Sequence, residues 1–252
     1  MKREEVKKEK EMTLEDCAGL QCDVLLVQKV VELVFVLDAS GSMHGLESDT
    51  VGGVNAILEE QKKMQNGDTM YVSTVIFNVG SRVLHDRADI TTVKPFTVDE
   101  YVVGGCTALY DAVGDAIRHI SNVHKYARKE DVPQKTMFVI MTDGMENASQ
   151  RYGQREIKAL IEKKQAESGW EFVFLAANID AGDAAEHIGI SRERAVDWHA
   201  DSDGAQVVYG CVSDCAKAMR VGKAYSRDVF RSADVDFQDR KKGEKKTRMG
   251  DK

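Results

Sequence analysis

Cysteines, prolines and long apolar runs are scarce in this chain. Its 252 residues include two prolines and five cysteines, an odd and sparse set unlike the dense, even framework of a small disulfide-linked secreted protein. The first twelve residues are a charged run of Lys and Glu without the apolar segment of a secretory signal. No segment approaches the ~18 consecutive apolar residues that a membrane-spanning helix needs. These absences predict a cytoplasmic protein with reduced thiols and no membrane span.

An excess of positive charge is also missing, except at the C-terminal end. The net charge is -7, yet residues 238–252 hold seven basic and three acidic side chains, so this end carries +4 and the remainder -11. An acidic body repels nucleic acid, and the basic end lacks the interleaved aromatic residues of a nucleic-acid-binding segment. We therefore expect no nucleic-acid partner.

Short apolar, β-rich runs alternate with amphipathic helical stretches along the chain. The turn at Asn78-Val79-Gly80 leaves no room for a crossover helix before the next alternating stretch, so one edge strand should be antiparallel. The alternation otherwise predicts an α/β fold with a mostly parallel central sheet and helices on both faces. The predicted strands cover residues 30–37, 70–77, 136–142, 172–177 and, more weakly, 195–198.

Changes in composition divide the chain into three parts. Residues 1–29 form a charged extension, residues 30–222 carry the alternating strands and helices, and residues 223–252 lose apolar periodicity and gain charge. We expect the middle part to fold as one domain. The last part is expected to be a partly disordered tail, because a segment without an apolar face gains too little from burial to offset the entropy of ordering.

Hydroxyl and carboxylate residues follow two of the predicted strands and precede one predicted helix. Asp38, Ser40 and Ser42 come directly after the first strand. Thr107 precedes a helical stretch, and Asp143 follows the strand at 136–142. The carboxyl ends of neighbouring parallel strands border a crevice where ligands bind, and such oxygens suit Mg²⁺. These five residues therefore predict a binding site for Mg²⁺ or Mn²⁺.

The same residues resemble the metal-ion-dependent adhesion site of the von Willebrand factor A (vWA) family. The resemblance lies in Asp38-x-Ser40-x-Ser42, in Thr107 of a Gly-Gly-Cys-Thr-Ala-Leu-Tyr-Asp segment, and in Asp143 of Thr-Asp-Gly. It implies a Rossmann-like vWA fold and looks most like the stand-alone bacterial members. In the family, both serines bind the ion, while the threonine and the aspartates bind it directly or through water.

The resemblance also implies what the protein does. In the family, a carboxylate from a partner protein completes the coordination of the metal ion. The implied function is a metal-dependent protein-binding module with an adaptor or assembly role, whose partner offers an exposed Asp or Glu.

Two other classes of function compete with this interpretation. An aspartate at a strand end beside Mg²⁺ also describes hydrolases and phosphoryl-transfer enzymes that form an aspartyl intermediate. Such enzymes usually resemble Asp-x-Asp with a downstream lysine, whereas Ser40 stands at the second position after Asp38 and leaves no obvious general acid. A structural protein with a degenerate site is disfavoured by the complete set of ligands. We therefore predict a binding protein and no enzyme.

Residues near the predicted site also have simpler interpretations. Cys106 is expected to pack as a small buried residue. Asp111 lies in the first turn of the helix that follows Thr107, and it is expected to cap that helix or brace a loop rather than to bind the metal directly. His44 and Glu146 are expected to be solvated loop residues, although a contribution of Cys106, His44 or Glu146 to the site stays open. The remaining candidates, for which structural packing or no role is expected, are Cys17, Cys22, His199, Cys211 and Cys215.

Overall fold

A six-stranded sheet forms the centre of the molecule. The computed structural model describes residues 29–64 and 66–250, with side chains through residue 242. The strands lie in the order β3-β2-β1-β4-β5-β6, and every neighbouring pair is parallel except β2 and β3. The predicted sheet with one antiparallel edge strand is therefore confirmed. The strands are β1 (Val30–Asp38), β2 (Thr69–Phe77), β3 (Ser81–Asp89), β4 (Lys135–Thr142), β5 (Glu171–Ala176) and β6 (Ala195–Asp197).

Helices cover both faces of this sheet. They are α1 (Glu47–Lys63), α2 (Leu109–Tyr126), α3 (Gln154–Ser168), α4 (Ala181–His187), α5 (Ser202–Arg220) and α6 (Arg231–Gly250). The helices α1, α5 and the start of α6 share a core with Leu33 and Phe35 of β1, whereas α2, α3 and α4 share one with Val34 and Val36. Alternate residues of β1 thus enter opposite cores, which explains why this strand is apolar nearly throughout. Among the described residues, no helix has the length and apolar character needed to cross a membrane.

The strand order creates a crevice between β1 and β4. From β1 the chain passes through α1 to β2, and from β4 it passes through α3 to β5 in the opposite direction across the sheet. Connections that diverge in this way leave an open space beyond the carboxyl ends of the two strands. In the register, Leu37 pairs with Met141, which sets Asp38 beside Thr142.

The C-terminal part differs from the sequence-based expectation. A short 3₁₀ turn over Arg227–Phe230 leads into α6, and both Phe230 and Ala233 are buried in the core beside α5. The expectation of a disordered tail therefore does not hold for residues 226–242. A few apolar residues at helical spacing anchor a segment whose average composition is charged. The predicted N-terminal extension, apart from Lys29, lies outside the described residues.

Candidate metal centre

Two carboxylates meet at the ends of β1 and β4. Asp38 is the last residue of β1, and Asp143 directly follows the last residue of β4. The hydroxyl of Thr142 joins the two strands, because it donates a hydrogen bond of 2.6 Å to Oδ2 of Asp38. Asp38 is 0% exposed and Asp143 is 2% exposed, so both carboxylates are removed from bulk water.

A serine turn after β1 connects the two carboxylates. Gly41–Met43 forms a 3₁₀ turn, and the N–H of Ser40 donates to Oδ1 of Asp38 at 2.7 Å. The hydroxyls of Ser40 and Ser42 lie 3.2 Å apart, and that of Ser42 donates to Oδ1 of Asp143 at 2.5 Å. Ser40 is buried and Ser42 is exposed, so the cluster opens to solvent at Ser42.

Backbone contacts tie the loop before α2 to the serine turn. The N–H of Gly41 donates to the carbonyl of Gly105 at 3.0 Å, and the N–H of Gly104 donates to the carbonyl of Ala39 at 2.8 Å. The φ angles of Gly104 and Gly105 are 154° and 78°, in a region that favours glycine. These two glycines therefore allow the loop to approach the serine turn closely.

Thr107 reaches the same space as the serines. A methyl group in place of the Gly144 α-hydrogen would lie 3.5 Å from Oγ of Ser42 and 4.0 Å from Oγ1 of Thr107. Gly144 directly follows Asp143, so the two hydroxyls and this carboxylate border one small space. The structure thus brings together all five residues that the sequence singles out, from three separate segments of the chain.

Among the described residues, the two buried carboxylates have no basic side chain beside them. Burial raises the pKa of Asp38 and the pKa of Asp143 above their ordinary values, and hydrogen bonds from Thr142 and Ser42 offset only part of this effect. Within the described part of the chain, neither carboxylate forms a salt bridge, and Oδ2 of Asp143 is buried without a hydrogen-bond partner. An unpaired buried carboxylate oxygen is unfavourable, so the site fits a bound cation.

The oxygen atoms at this site suit a hard divalent cation. Carboxylates and hydroxyls are ligands that Mg²⁺ and Mn²⁺ accept, together with water. In the ranges that the structure describes, no group of three or more His, Cys, Asp or Glu side chains could hold a metal ion. The candidate centre differs from such a group, because its three hydroxyls outnumber its two carboxylates.

The loop after β4 is held against α2 by Glu146 and Asn147. Asn147 and Thr107 form a reciprocal pair: the N–H of Thr107 donates to Oδ1 of Asn147 at 2.9 Å, and the N–H of Asn147 donates to the Thr107 carbonyl at 3.0 Å. The carboxylate of Glu146 accepts from the N–H of Tyr110 at 2.9 Å and from that of Ser149 at 2.7 Å. The expectation that Glu146 is a solvated loop acid is therefore wrong.

Asp111 braces the same loop further from the crevice. Its carboxylate accepts hydrogen bonds from the N–H groups of Gln150 at 3.1 Å and of Arg151 and Tyr152 at 3.0 Å each. Burial acts to raise the pKa of Asp111, but these three amides more than offset it and the pKa is lowered. The interpretation of Asp111 as a loop brace is confirmed.

Tyr101 is a buried support that the sequence does not reveal. Its hydroxyl donates to the main-chain carbonyl of Asp38, at the point where β1 ends. Burial raises the pKa of Tyr101 well above its ordinary value, so the phenol stays protonated and keeps its role as a donor. The contact joins residues 63 positions apart, which no local pattern predicts.

The remaining candidates near the site behave as loop residues. Cys106 is exposed, so the prediction that it packs in the interior is wrong. His44 is 85% exposed in its side chain and lies 3.1 Å from a carboxylate oxygen of Glu47, in agreement with a solvated loop residue.

The other candidates lie away from the crevice. Cys211 and Cys215 are buried in the core between α5 and the sheet, which confirms packing as their role. Nε2 of His199 lies 3.2 Å from the carbonyl oxygen of Phe237, and this contact joins it to α6. Cys17 and Cys22 lie outside the described residues.

Solved structures with the same architecture include a mussel byssus protein and a bacterial pilus adhesin. Proximal thread matrix protein 1 from the mussel byssus matches with a TM-score of 0.53 and 17% identity, over 75% of this chain and 46% of that protein. A further structure of it, described as having a zinc-occupied MIDAS motif, matches with a TM-score of 0.50 and 18% identity, over 75% of this chain and 46% of that one. The pilus adhesin SpaC from Lactobacillus rhamnosus GG matches with a TM-score of 0.56 and 14% identity, over 74% of this chain and 30% of that one.

At these identities the solved structures show a shared fold, and this chain spans less than half the length of each of them. No curated protein sequence matches the chain. The model of one protein family, however, matches residues 27–202, which is most of the sequence and includes every residue of the candidate metal centre. The chain therefore belongs to the family of VWA domain containing CoxE-like proteins.

Proposed function

We propose that this chain is a cytoplasmic protein-binding module that uses Mg²⁺ or Mn²⁺ to hold an exposed Asp or Glu of a partner protein. The observation that carries the proposal is a pair of buried carboxylates that, among the described residues, have no basic side chain beside them, with Oδ2 of Asp143 lacking a hydrogen-bond partner. The family supports it, since vWA domains are metal-dependent adhesion and protein-interaction modules.

Each ligand has a separate part in this function. Asp38 and Asp143 would supply negative charge to the ion, while Ser40, Ser42 and Thr107 would supply neutral oxygens. The bound ion supplies an electrophilic position for one oxygen from outside. Because a hard divalent cation interacts more strongly with an anionic oxygen than with a neutral one, and the three hydroxyls contribute no charge, that position favours a carboxylate. The exposed side of Ser42 gives a partner access to it.

Metal-dependent capture of a partner tests the proposal. Immobilised protein is incubated with native cytosol in Mg²⁺ or in EDTA, and each protein recovered only in Mg²⁺ is purified and rebound as a single component. We expect Asp38→Ala to abolish binding and Thr107→Ala to weaken it, since the latter removes one neutral oxygen without changing the charge of the site. Replacement of one Asp or Glu of the partner by Ala should abolish binding as well.

A matched surface variant separates the site from general effects of charge. Asp214 lies on α5 with 63% of its side chain exposed, and Asp214→Ala removes the same charge as Asp38→Ala without affecting the crevice. This variant should bind like the wild type. Capture that ignores EDTA, Asp38→Ala and Thr107→Ala would place the interaction on another surface and overturn the proposal.

The proposal also predicts no intrinsic hydrolysis. In this proposal the hydroxyls of Ser40, Ser42 and Thr107 serve as ligands, and that of Thr142 donates to Asp38. No lysine or arginine pairs with Asp38 or Asp143 in the part of the chain that the structure describes. A phosphatase and nucleotidase screen in Mg²⁺ should find no turnover. Activity that survives repurification and disappears in Asp38→Asn would instead identify a Mg²⁺-dependent hydrolase or phosphoryl-transfer enzyme.

A further inference from the structure

A groove of about 540 Å³ adjoins the candidate metal centre. It lies between the β2–β3 turn on one side and residues 98–102 on the other. Val79 and Val102 provide apolar lining. Charged lining comes from Arg82, three residues after Val79, and from Asp99 and Glu100, which precede Val102. The groove therefore combines an apolar part with a charged part.

Direct contacts make this groove continuous with the metal centre. A Cβ atom on Gly105 would lie 3.2 Å from Cγ1 of Val79, so the turn packs on the glycine loop that brings Thr107 into place. The carbonyl of Asn78, next to Val79, accepts a hydrogen bond of 2.8 Å from the N–H of Ala108. The Val79 side of the groove therefore lies beside the loop that carries Thr107.

Exposed apolar side chains are concentrated at this end of the molecule. Among the described residues, the large hydrophobic side chains with more than 60% exposure are Tyr126 at 78%, Val102 and Met145 at 71%, and Val79 at 65%. Three of these four belong to the loops that form or border the metal centre. Clustered exposed apolar residues mark interaction sites, whereas single scattered ones need no explanation.

The charged part of the groove has a net negative charge. The guanidinium of Arg82 donates to the carbonyl of Glu100, and the carboxylate of Glu100 accepts from the N–H of Thr97 at 2.8 Å. The charged side chains that line the groove are thus one arginine and two carboxylates, those of Asp99 and Glu100. A basic side chain complements this surface, in contrast to the acidic side chain that the metal ion requires.

We propose that the groove receives the same partner segment whose carboxylate binds the metal, and that this segment carries an aliphatic side chain followed by a basic one. The inference rests on the proposed function and specifies its partner. The carboxylate lies on the metal ion, the aliphatic side chain lies between Val79 and Val102, and the basic side chain lies against Asp99 and Glu100. The partner is thus recognised by an acidic, aliphatic and basic order along one extended segment.

A displayed random-peptide library tests this order. The full chain is immobilised in Mg²⁺, and the bound peptides are eluted with EDTA so that only metal-dependent binders are sequenced. We expect an Asp or Glu, a Val, Leu or Ile at a constant spacing from it, and an enriched Lys or Arg beyond. In the Val79→Ser, Val102→Ser double variant, the best synthetic peptide should bind about tenfold more weakly, as expected for one buried aliphatic group.

A double-mutant cycle and a control variant make this result specific. Replacement of the aliphatic residue of the peptide by Ser should weaken binding to the wild type about tenfold and leave binding to the double variant nearly unchanged. Val221 is also 51% exposed but lies at the C-terminal end of α5, beside Lys29 at the other end of the sheet. Val221→Ser should bind the peptide like the wild type.

The outcomes distinguish this inference from the function on which it rests. EDTA-eluted peptides that share an acidic residue but have no aliphatic or basic preference would overturn the inference and leave the proposed function standing. A library that yields no metal-dependent peptide would overturn both. Stabilisation of the double variant by Mn²⁺, as in the wild type, verifies that its metal centre is intact.

Discussion

The two ends of β1 carry buried carboxylates with opposite surroundings. Glu32, near the start of the strand, and Asp38, at its end, are both 0% exposed. Nε2 of His124 lies 2.5 Å from one carboxylate oxygen of Glu32, and Nε of Arg87 lies 3.3 Å from the other. Asp38 instead receives hydrogen bonds from the N–H of Ser40 and the hydroxyl of Thr142.

The difference shows which carboxylate the fold has left for an external cation. At Glu32 the chain supplies the basic groups itself, as it also does where Arg220 pairs with Asp68 at 2.6 Å. At Asp38 it supplies neutral donors only. Removing a carboxylate from water without a positive partner is costly, so such a group persists where a ligand provides the charge. Four predictions sharpen this contrast, in order of decreasing effect.

Glu32→Gln should destabilise the fold most. The change leaves Arg87 and His124 beside a neutral amide in the interior, and breaking a buried pair in this way lowers the free energy of unfolding by roughly 3 kcal/mol. Urea unfolding with and without Mg²⁺ measures it, and the loss should be the same in both. The control is Asp86→Asn, whose carboxylate is 56% exposed beside His119 and contributes little. An equal effect of both changes would contradict the buried pairing.

Mn²⁺ or Mg²⁺ should stabilise the wild type. Binding to the folded state alone raises the free energy of unfolding by ~2.7 kcal/mol at a hundred times Kd. Thermal melts with EDTA and with metal measure the shift. It should disappear in Asp38→Ala and persist in Glu32→Gln and in Asp214→Ala. A wild type and an Asp38→Ala variant that respond identically to metal would show that the site is assigned to the wrong residues.

Asp111→Asn should have a smaller effect that depends on pH. The folded state lowers the pKa of Asp111, so its contribution is complete above the unfolded pKa of ~3.9 and is lost as the pH falls through the folded value. Loss of the charge-assisted hydrogen bonds to three amides should lower the free energy of unfolding by about 1.5 kcal/mol at a pH near 7. Urea unfolding at neutral and acidic pH should show the difference between wild type and variant shrinking in acid. A constant difference would exclude the ionised carboxylate as its source.

Asp38→Asn in EDTA should have the smallest effect. The variant removes a buried carboxylate whose pKa is raised by burial, so relief of desolvation offsets the weaker hydrogen bonds. The free energy of unfolding should therefore change by no more than about 1 kcal/mol. It is the same carboxylate-to-amide change as Glu32→Gln, made at the other end of β1. Urea unfolding of the two variants under identical conditions compares them. Losses of equal size would remove the distinction between the two ends of the strand.

The sequence predicts the sheet well because the strands coincide with short apolar, β-rich runs that are visible locally. The runs that become β1, β2, β4 and β5 are apolar and β-rich, and each observed strand agrees with the predicted range to within one residue at either end. The weaker β6 is observed over Ala195–Asp197. The helix α4 escapes prediction, since its seven residues are too few to show an apolar stripe at helical spacing. Helix α6 is missed because charge dominates its composition while Phe230 and Ala233 provide its anchor.

The candidate metal ligands can be predicted because they lie in short motifs at strand ends. The residues that hold these segments in place cannot be predicted in the same way. Tyr101, Glu146 and Asn147 act through contacts with segments 36 to 63 positions away. Which loop a polar side chain braces depends on the order of the strands in the sheet. A local sequence pattern does not show which distant segments this order brings together. The assignment of the five residues as ligands stays a prediction that the metal-binding experiments test.

The distance along the chain between the contacting site residues has a consequence for folding kinetics. The hydrogen bonds Thr142 to Asp38 and Ser42 to Asp143 join positions 104 and 101 residues apart, so the ligand set is complete only after β4 has docked on β1. Contacts that form late in folding change the unfolding rate more than the folding rate. A metal ion bound here would therefore leave the speed of folding nearly unchanged and lengthen the lifetime of the folded state.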